Sequence, residues 1–162
     1  MRRKTNSQPI SPVSVVDAAV VAVRERLPAS CHLEIAVDPH LPPVLADRER
    51  LVTALINLLD NALKYSPGEQ RITITAQPAG EAMVAFAVAD NGIGIAPREQ
   101  RRIFRRFYRV DQRLSRETSG VGLGLSIVDL IARGHGGAVT VRSQPGAGST
   151  FTLTVRRAGA AA

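Results

Sequence analysis

Apolar residues recur at helical spacing over residues 13–27, at Val16, Val20, Val23 and Leu27, before Pro28 closes the run. The spacing predicts a short amphipathic helix. Leu33, Ile35 and Val37 then alternate with polar or small residues up to Asp38-Pro39, the pattern of a strand that ends in a turn, and Pro42-Pro43 extends the connection. Leu51, Leu55, Leu58, Leu59 and Ala62 form the clearest helical stripe in the chain, with Asp47 as N-cap and Pro67-Gly68 as terminator.

Period-2 patterning takes over next. Ile72 and Ile74, then Val84, Phe86 and Val88, predict two strands joined at Gly80 into a hairpin. After an arginine-rich stretch and a glycine-rich loop, a helix is expected from Leu125 to about Arg133, stopped by Gly134. Val139 and Val141 mark one further strand and Phe151, Leu153 and Val155 another, turned at Pro145-Gly146, with Thr150, Thr152 and Thr154 on the opposite side of the last strand. One apolar sheet face covered by helices is the economical arrangement, an α/β (α+β) two-layer sandwich with a mostly antiparallel sheet. Residues 1–10 read as a flexible basic tail, 11–157 as one domain and 158–162 as a frayed end.

Length and composition narrow this picture. The chain has 162 residues and 44% hydrophobic content, enough for one core without disulfides, and its single cysteine, Cys31, excludes an internal bridge. No apolar run approaches the roughly 18 residues that cross a bilayer, and no signal-peptide core follows the basic start. The net charge of +7 is local: Arg2, Arg3 and Lys4 supply part, and eight arginines over residues 98–117 face only Glu99, Asp111 and Glu117. Such a segment suits DNA phosphates, a nucleotide triphosphate or an acidic partner. An aromatic content of 4% offers little stacking surface for single-stranded nucleic acid.

Five segments carry candidate chemistry. Asn57, Asn61 and Lys64 fall at i, i+4 and i+7 of the leucine-striped helix and share its polar face. Asparagine is a poor helix former, an amide oxygen is a hard ligand for Mg²⁺, and lysine suits phosphate; a solvated face shows the same pattern. Asp90-Asn91-Gly92-Ile93-Gly94-Ile95 follows an apolar strand, where a carboxylate can accept a hydrogen bond from an exocyclic amine such as that of adenine. Asn-Gly is equally a turn signal. Gly120-Val121-Gly122-Leu123-Gly124-Leu125 precedes a helix and bares backbone N–H groups for phosphate oxygens. No parallel β-α-β pattern surrounds it and its sixth position is Leu125, which removes the dinucleotide-binding reading. Phe104-Arg105-Arg106-Phe107-Tyr108 and Gly146-Ala147-Gly148-Ser149-Thr150-Phe151 complete the set; alone, they read as core aromatics and a hairpin turn.

Together and in this order, the segments resemble the N, G1, F, G2 and G3 boxes of the histidine-kinase catalytic domain, within the gyrase, Hsp90, histidine kinase and MutL superfamily. The resemblance runs from about Ser11 to Arg156. It implies the Bergerat ATP-binding fold, with a mobile lid over residues 96–119, and ATP and Mg²⁺ as cofactors. It places Asp90 at the adenine amine, Gly92, Gly94 and Ile95 at the base pocket, and Asn61 on Mg²⁺. Asn57 and Lys64 come to the phosphates, Tyr65 beside the nucleotide, Gly120, Val121, Gly122, Leu123, Gly124 and Leu125 around the phosphates, and Ser149 or Thr150 behind Asp90. Phe104, Phe107 and Tyr108 form the lid box. Members similar to gyrase carry a water-activating glutamate where this chain has Asn57, which is no base at neutral pH, so hydrolysis is expected to be slow.

The acceptor histidine of this family sits on a dimeric helical hairpin, next to an acidic residue. His32, His40 and His135 lie in a strand, a turn and a loop and read as structural or exposed. The expected partners are therefore a separate dimerisation and histidine phosphotransfer domain and, downstream, a response regulator. The expected location is the cytoplasm, the expected state of the isolated domain a monomer, and nucleic acid is not an expected ligand. Two relatives in function share the pocket: a serine kinase of the anti-sigma-factor type and an ATP-sensing module that transfers nothing. The Phe104 to Tyr108 box favours the histidine kinase.

Overall fold

The computed structural model describes residues 6–64, 68–105 and 124–159. In chain order these form β1 (Gln8–Ile10), α1 (Pro12–Arg24), β2 (Cys31–Val37), β3 (Val44–Ala46), α2 (Arg48–Lys64), β4 (Gln70–Ala79), β5 (Met83–Asp90), α3 (Pro97–Gln100), α4 (Gly124–Gly134), β6 (Val139–Gln144) and β7 (Gly148–Arg156). Five strands make one mixed sheet in the order β2-β4-β5-β7-β6, and β1 pairs with β3 beside it. The β4–β5 hairpin turns at Gly80 with φ +72°, a conformation glycine adopts without strain. Every pairing in the larger sheet is antiparallel except β2 with β4, which register Cys31 with Gln70 and Val37 with Ala76. Helix α2 makes the crossover between those two parallel strands.

The helices cover one sheet face, with α2 packed between α1 and α4. Leu51, Leu55, Leu58 and Leu59 of α2 are buried together with Val15, Val16 and Val23 of α1 and Val128 of α4. They meet Ile72, Ile74, Phe86, Phe151, Leu153 and Val155 from the sheet. The opposite face carries Thr73, Thr75, Ala87, Thr150, Thr152 and Thr154, none of them fully buried. Strand β2 lies at the edge, so its apolar side is only partly covered and Ile35 stays exposed.

Three expectations are corrected. The basic tail does not extend to residue 10, because Gln8–Ile10 pair with Val44–Ala46; strands of three residues are too short to show a period. The frayed end does not begin at Ala158, whose N–H donates to the Pro43 carbonyl at 2.9 Å. The first helix also ends at Arg24, and Arg26 and Leu27 continue it only as tight turns onto Val23 and Arg24.

Asp47 does more than start α2. Its Oδ1 accepts the Arg50 N–H at 3.3 Å as an N-cap, and its Oδ2 accepts the Asn6 N–H at 3.2 Å from the segment entering β1. Its own N–H donates to Nε2 of buried His135 at 3.0 Å, while His135 Nδ1–H donates to the Ile131 carbonyl at 2.7 Å. That pattern defines the neutral Nδ1–H tautomer. His135 is therefore a strut between the start of α2 and the end of α4, whereas His32 and His40 are exposed.

Burial by itself raises the Asp47 carboxyl pKa, but the Asn6 and Arg50 N–H groups and the Arg50 charge outweigh it and hold the pKa below the ordinary value. A depressed folded-state pKa stabilises above the unfolded pKa, and the contribution is lost as pH falls through the folded one. Urea unfolding of Asp47→Ala at about pH 7 is therefore expected to show a loss of about 1–2 kcal/mol. The difference from the parent should shrink as pH drops below the ordinary aspartate range.

Candidate functional site

The polar face of α2 is oriented by its own backbone. Asn57 Nδ2 donates to the Thr53 carbonyl at 2.9 Å, which fixes the amide and leaves Oδ1 to face outward. Opposite it stands Gly124, the first residue of α4, where an added Cβ would lie 3.2 Å from Asn57 Oδ1. The expected phosphate helix thus begins against the expected phosphate asparagine. One turn on, Asn61 is half-buried and has no side-chain hydrogen bond among the described residues; Lys64 is exposed. Leu125 and Ile95 pack partly against the core. Gly120, Val121, Gly122, Leu123, Tyr65, Phe107 and Tyr108 lie outside the described residues.

Asp90 closes β5, half-buried. Its Oδ1 accepts the N–H of Gly92 at 2.9 Å and of Ser149 at 3.2 Å, while Oδ2 receives no donor from the described residues. Burial pushes the Asp90 carboxyl pKa up, and the two N–H bonds only partly offset it. One oxygen is tied down and the other is left as an acceptor, an arrangement suited to an exocyclic amine.

The glycines here answer to backbone crowding. Gly94 has φ +74°, and a Cβ on it would fall 1.9 Å from the Gln144 carbonyl oxygen. Gly148 has φ +86°, and its Cβ would fall 2.1 Å from the Asp90 carbonyl oxygen. The Gly94 loop is thus pressed onto the β6–β7 turn, an approach tightened by Gly146 N–H donating to the Ile93 carbonyl at 2.7 Å. Ser149 stands behind Asp90 through its backbone N–H, whereas Thr150 is paired in the sheet opposite Ala89 and Arg142. Phe104 packs edge-on against Phe151, with ring centroids 6.2 Å apart, in keeping with a core role.

Three contributors have contacts that no motif discloses. Asn91 is a clasp: its Oδ1 accepts the Arg71 N–H and its Nδ2 donates to the Glu69 carbonyl, both at 2.9 Å, tying the Asp90 loop to the start of β4. Ser143 Oγ accepts the Ile95 N–H at 2.7 Å and donates to the Gly148 carbonyl at 3.0 Å. Gln100 Nε2 donates to the carbonyls of Ile95 and Ser143, each at 3.0 Å. The available signal was in β6, where Ser143 continues the inward alternation of Val139 and Val141 as a polar residue.

No group of three or more His, Cys, Asp or Glu side chains suited to a metal ion occurs among the described residues. The half-buried amide of Asn61 would suit a Mg²⁺ ion that takes its other ligands from outside the protein, since this cation keeps several waters and needs few protein oxygens. No helix among the described residues is long and apolar enough to cross a membrane.

A sequence profile of histidine kinase-, DNA gyrase B- and HSP90-like ATPases matches residues 46–159. The sensor-like histidine kinase SenX3 of Mycobacterium tuberculosis is 48% identical over 124 residues, covering 76% of this chain and 30% of that protein. The chain thus spans about a third of that relative's length. Among solved structures, the mycobacterial sensor histidine kinase MprB superposes with a TM-score of 0.78 at 30% identity, covering 93% of this chain and 97% of the other. Full-length ShkA in complex with AMPPNP gives 0.84 at 30% identity, covering 99% of this chain and 33% of the other.

Two stability measurements check the geometry. Gly148→Ala is expected to cost at least about 2 kcal/mol, because positive φ and a backbone clash act together. Gly146→Ala, with φ +80° but nothing within 4 Å of the added methyl, should cost only about 1 kcal/mol. The raised Asp90 pKa means the ionised form is disfavoured in the folded state, so stability is recovered as pH falls through it. Thermal unfolding of Asp90→Asn at neutral pH should accordingly lie above that of the parent, and the gap should close on acidification.

Proposed function

Since the chain belongs to the family of histidine kinase-, DNA gyrase B- and HSP90-like ATPases, we propose that it binds Mg-ATP and donates the γ-phosphoryl group to a histidine on a separate helical dimerisation domain. The observation that carries this reading is Asp90, held through Oδ1 by two N–H groups with Oδ2 left to accept the adenine amine. Guanine presents a carbonyl oxygen where adenine presents the amine, so the same carboxylate repels it. Bound Mg²⁺ supplies charge neutralisation to the phosphates.

The rest of the work falls to the chain. Asn61 offers an amide oxygen to the cation, Lys64 an ammonium to the phosphates, and the N-terminus of α4 at Gly124 a partial positive charge. Asn57 holds its amide oxygen beside Gly124 and is not a base, so it orients without activating water. Transfer then waits for a protein nucleophile and leaves ADP, and the phosphoryl group passes from the histidine to a response regulator. An ATP-dependent domain of this kind works in the cytoplasm, and the arginine-rich sequence of residues 98–117 brings positive charge suited to a triphosphate or an acidic docking partner.

Calorimetric titration with Mg-ATP and Mg-GTP tests the pocket. ATP should bind selectively, and Asp90→Ala should weaken it roughly 10- to 100-fold, the worth of a hydrogen bond to a charged acceptor. Well-folded protein that binds neither nucleotide would sink the proposal. Adding a separately made helical hairpin and ATP should then yield acid-labile phosphohistidine; phosphoserine in its place would assign the chain to the other kinase type.

A further inference from the structure

Ser143 lies in no motif, yet it is the point where the loop after Asp90, the β6–β7 turn and α3 meet. It sits on β6 opposite Ser149 of β7, on the side where Val139 and Val141 are apolar. A hydroxyl placed there needs partners, and it has a full set. Oγ accepts the Ile95 N–H at 2.7 Å, donates to the Gly148 carbonyl at 3.0 Å, and lies 2.7 Å from Ser149 Oγ. Its own carbonyl accepts Gln100 Nε2, which also holds the Ile95 carbonyl. Two of the residues bound by this hydroxyl, Gly148 and Ser149, also touch Asp90: the first is packed against its carbonyl and the second donates its N–H to Oδ1.

Resting on the ATP reading above, we infer that Ser143 is a positioning residue for base recognition: it aims the Asp90 carboxylate through Gly148 and Ser149 and so sets discrimination between adenine and guanine. The hydroxyl touches no nucleotide in this scheme. Its loss frees the β6–β7 turn, lets the Ser149 N–H drift from Oδ1, and leaves the carboxylate aimed less well at an amine. Since that N–H also lowers the Asp90 pKa, and the carboxylate form is the acceptor, the acid limb of ATP binding should move to higher pH.

The test compares the parent, Ser143→Ala, Ser143→Thr and Ser149→Ala by calorimetry with Mg-ATP and Mg-GTP across about pH 5 to 8, with thermal unfolding alongside. Ser143→Ala should lose roughly tenfold in ATP affinity, narrow the ATP-to-GTP ratio and shift the acid limb upward. Ser143→Thr keeps the hydroxyl on a strand-favouring residue and should stay within about threefold of the parent. Ser149→Ala keeps the N–H that touches Asp90 and loses only the hydroxyl contact; a loss of about threefold with the limb moved the same way is expected, and it carries the test if Ser143→Ala does not fold. A lowered melting temperature with unchanged ratio and acid limb would make Ser143 merely structural and overturn the inference. Folded parent protein that binds no ATP overturns the ATP reading and this inference with it; a selective parent with an unmoved Ser143→Ala overturns this inference alone.

Discussion

The packing of the α2 leucine stripe against the sheet governs the arrangement of everything else. Leu51, Leu55, Leu58 and Leu59 must face inward, and because the helix repeats every 3.6 residues, Asn57, Asn61 and Lys64 are then turned together toward the opposite side. Burial of the stripe thus also orients the site. A fully buried leucine contributes about 1.5–3 kcal/mol, so the orientation is held by contacts far stronger than the single amide bond of Asn57.

Helix α4 is latched to α2 at both of its ends. Gly124 meets Asn57, and His135, just past the last residue of α4, receives the N–H of Asp47 at the start of α2. From residue 47 to residue 57 a helix climbs about 15 Å, and the eleven residues of α4 span about the same length, so the two contacts fit one antiparallel pairing. The Asp90 side of the site is built differently, from backbone pressed on backbone at Gly94 and Gly148 and pinned by Asn91, Ser143 and Gln100. One wall rests on side-chain packing and the other on hydrogen bonds, in the layout of the Bergerat fold.

What could be read from the chain beforehand follows from the range of the forces involved. The stripe of α2, the alternation of Phe151, Leu153 and Val155 and the cap at Asp47 are local patterns, and all appear where the sequence put them. The strands β1 and β3 have three residues each and exist only as a pair, and the parallel match of β2 to β4 joins segments separated by a whole helix. Neither has a local signature. Asn91 reads as a turn residue because its partners, Arg71 and Glu69, lie twenty or more positions away. Asp90 and Asn61 are candidates through the spacing of their neighbours, while His135 looked like a loop residue because the amide it accepts from is eighty-eight positions distant.

Strand β2 has a hydrogen-bonded neighbour on one side only, and it carries exposed Ile35 along that free margin. An edge of this kind is a template for a second chain, and solubility at high concentration depends on what discourages that encounter. Here Ile35 is flanked by Glu34 and Ala36, both exposed. Two copies that pair in register and parallel along this margin would set the Glu34 carboxylates against each other, which opposes that pairing. Glu34 thus guards the margin of the sheet farthest from β6 against a second copy.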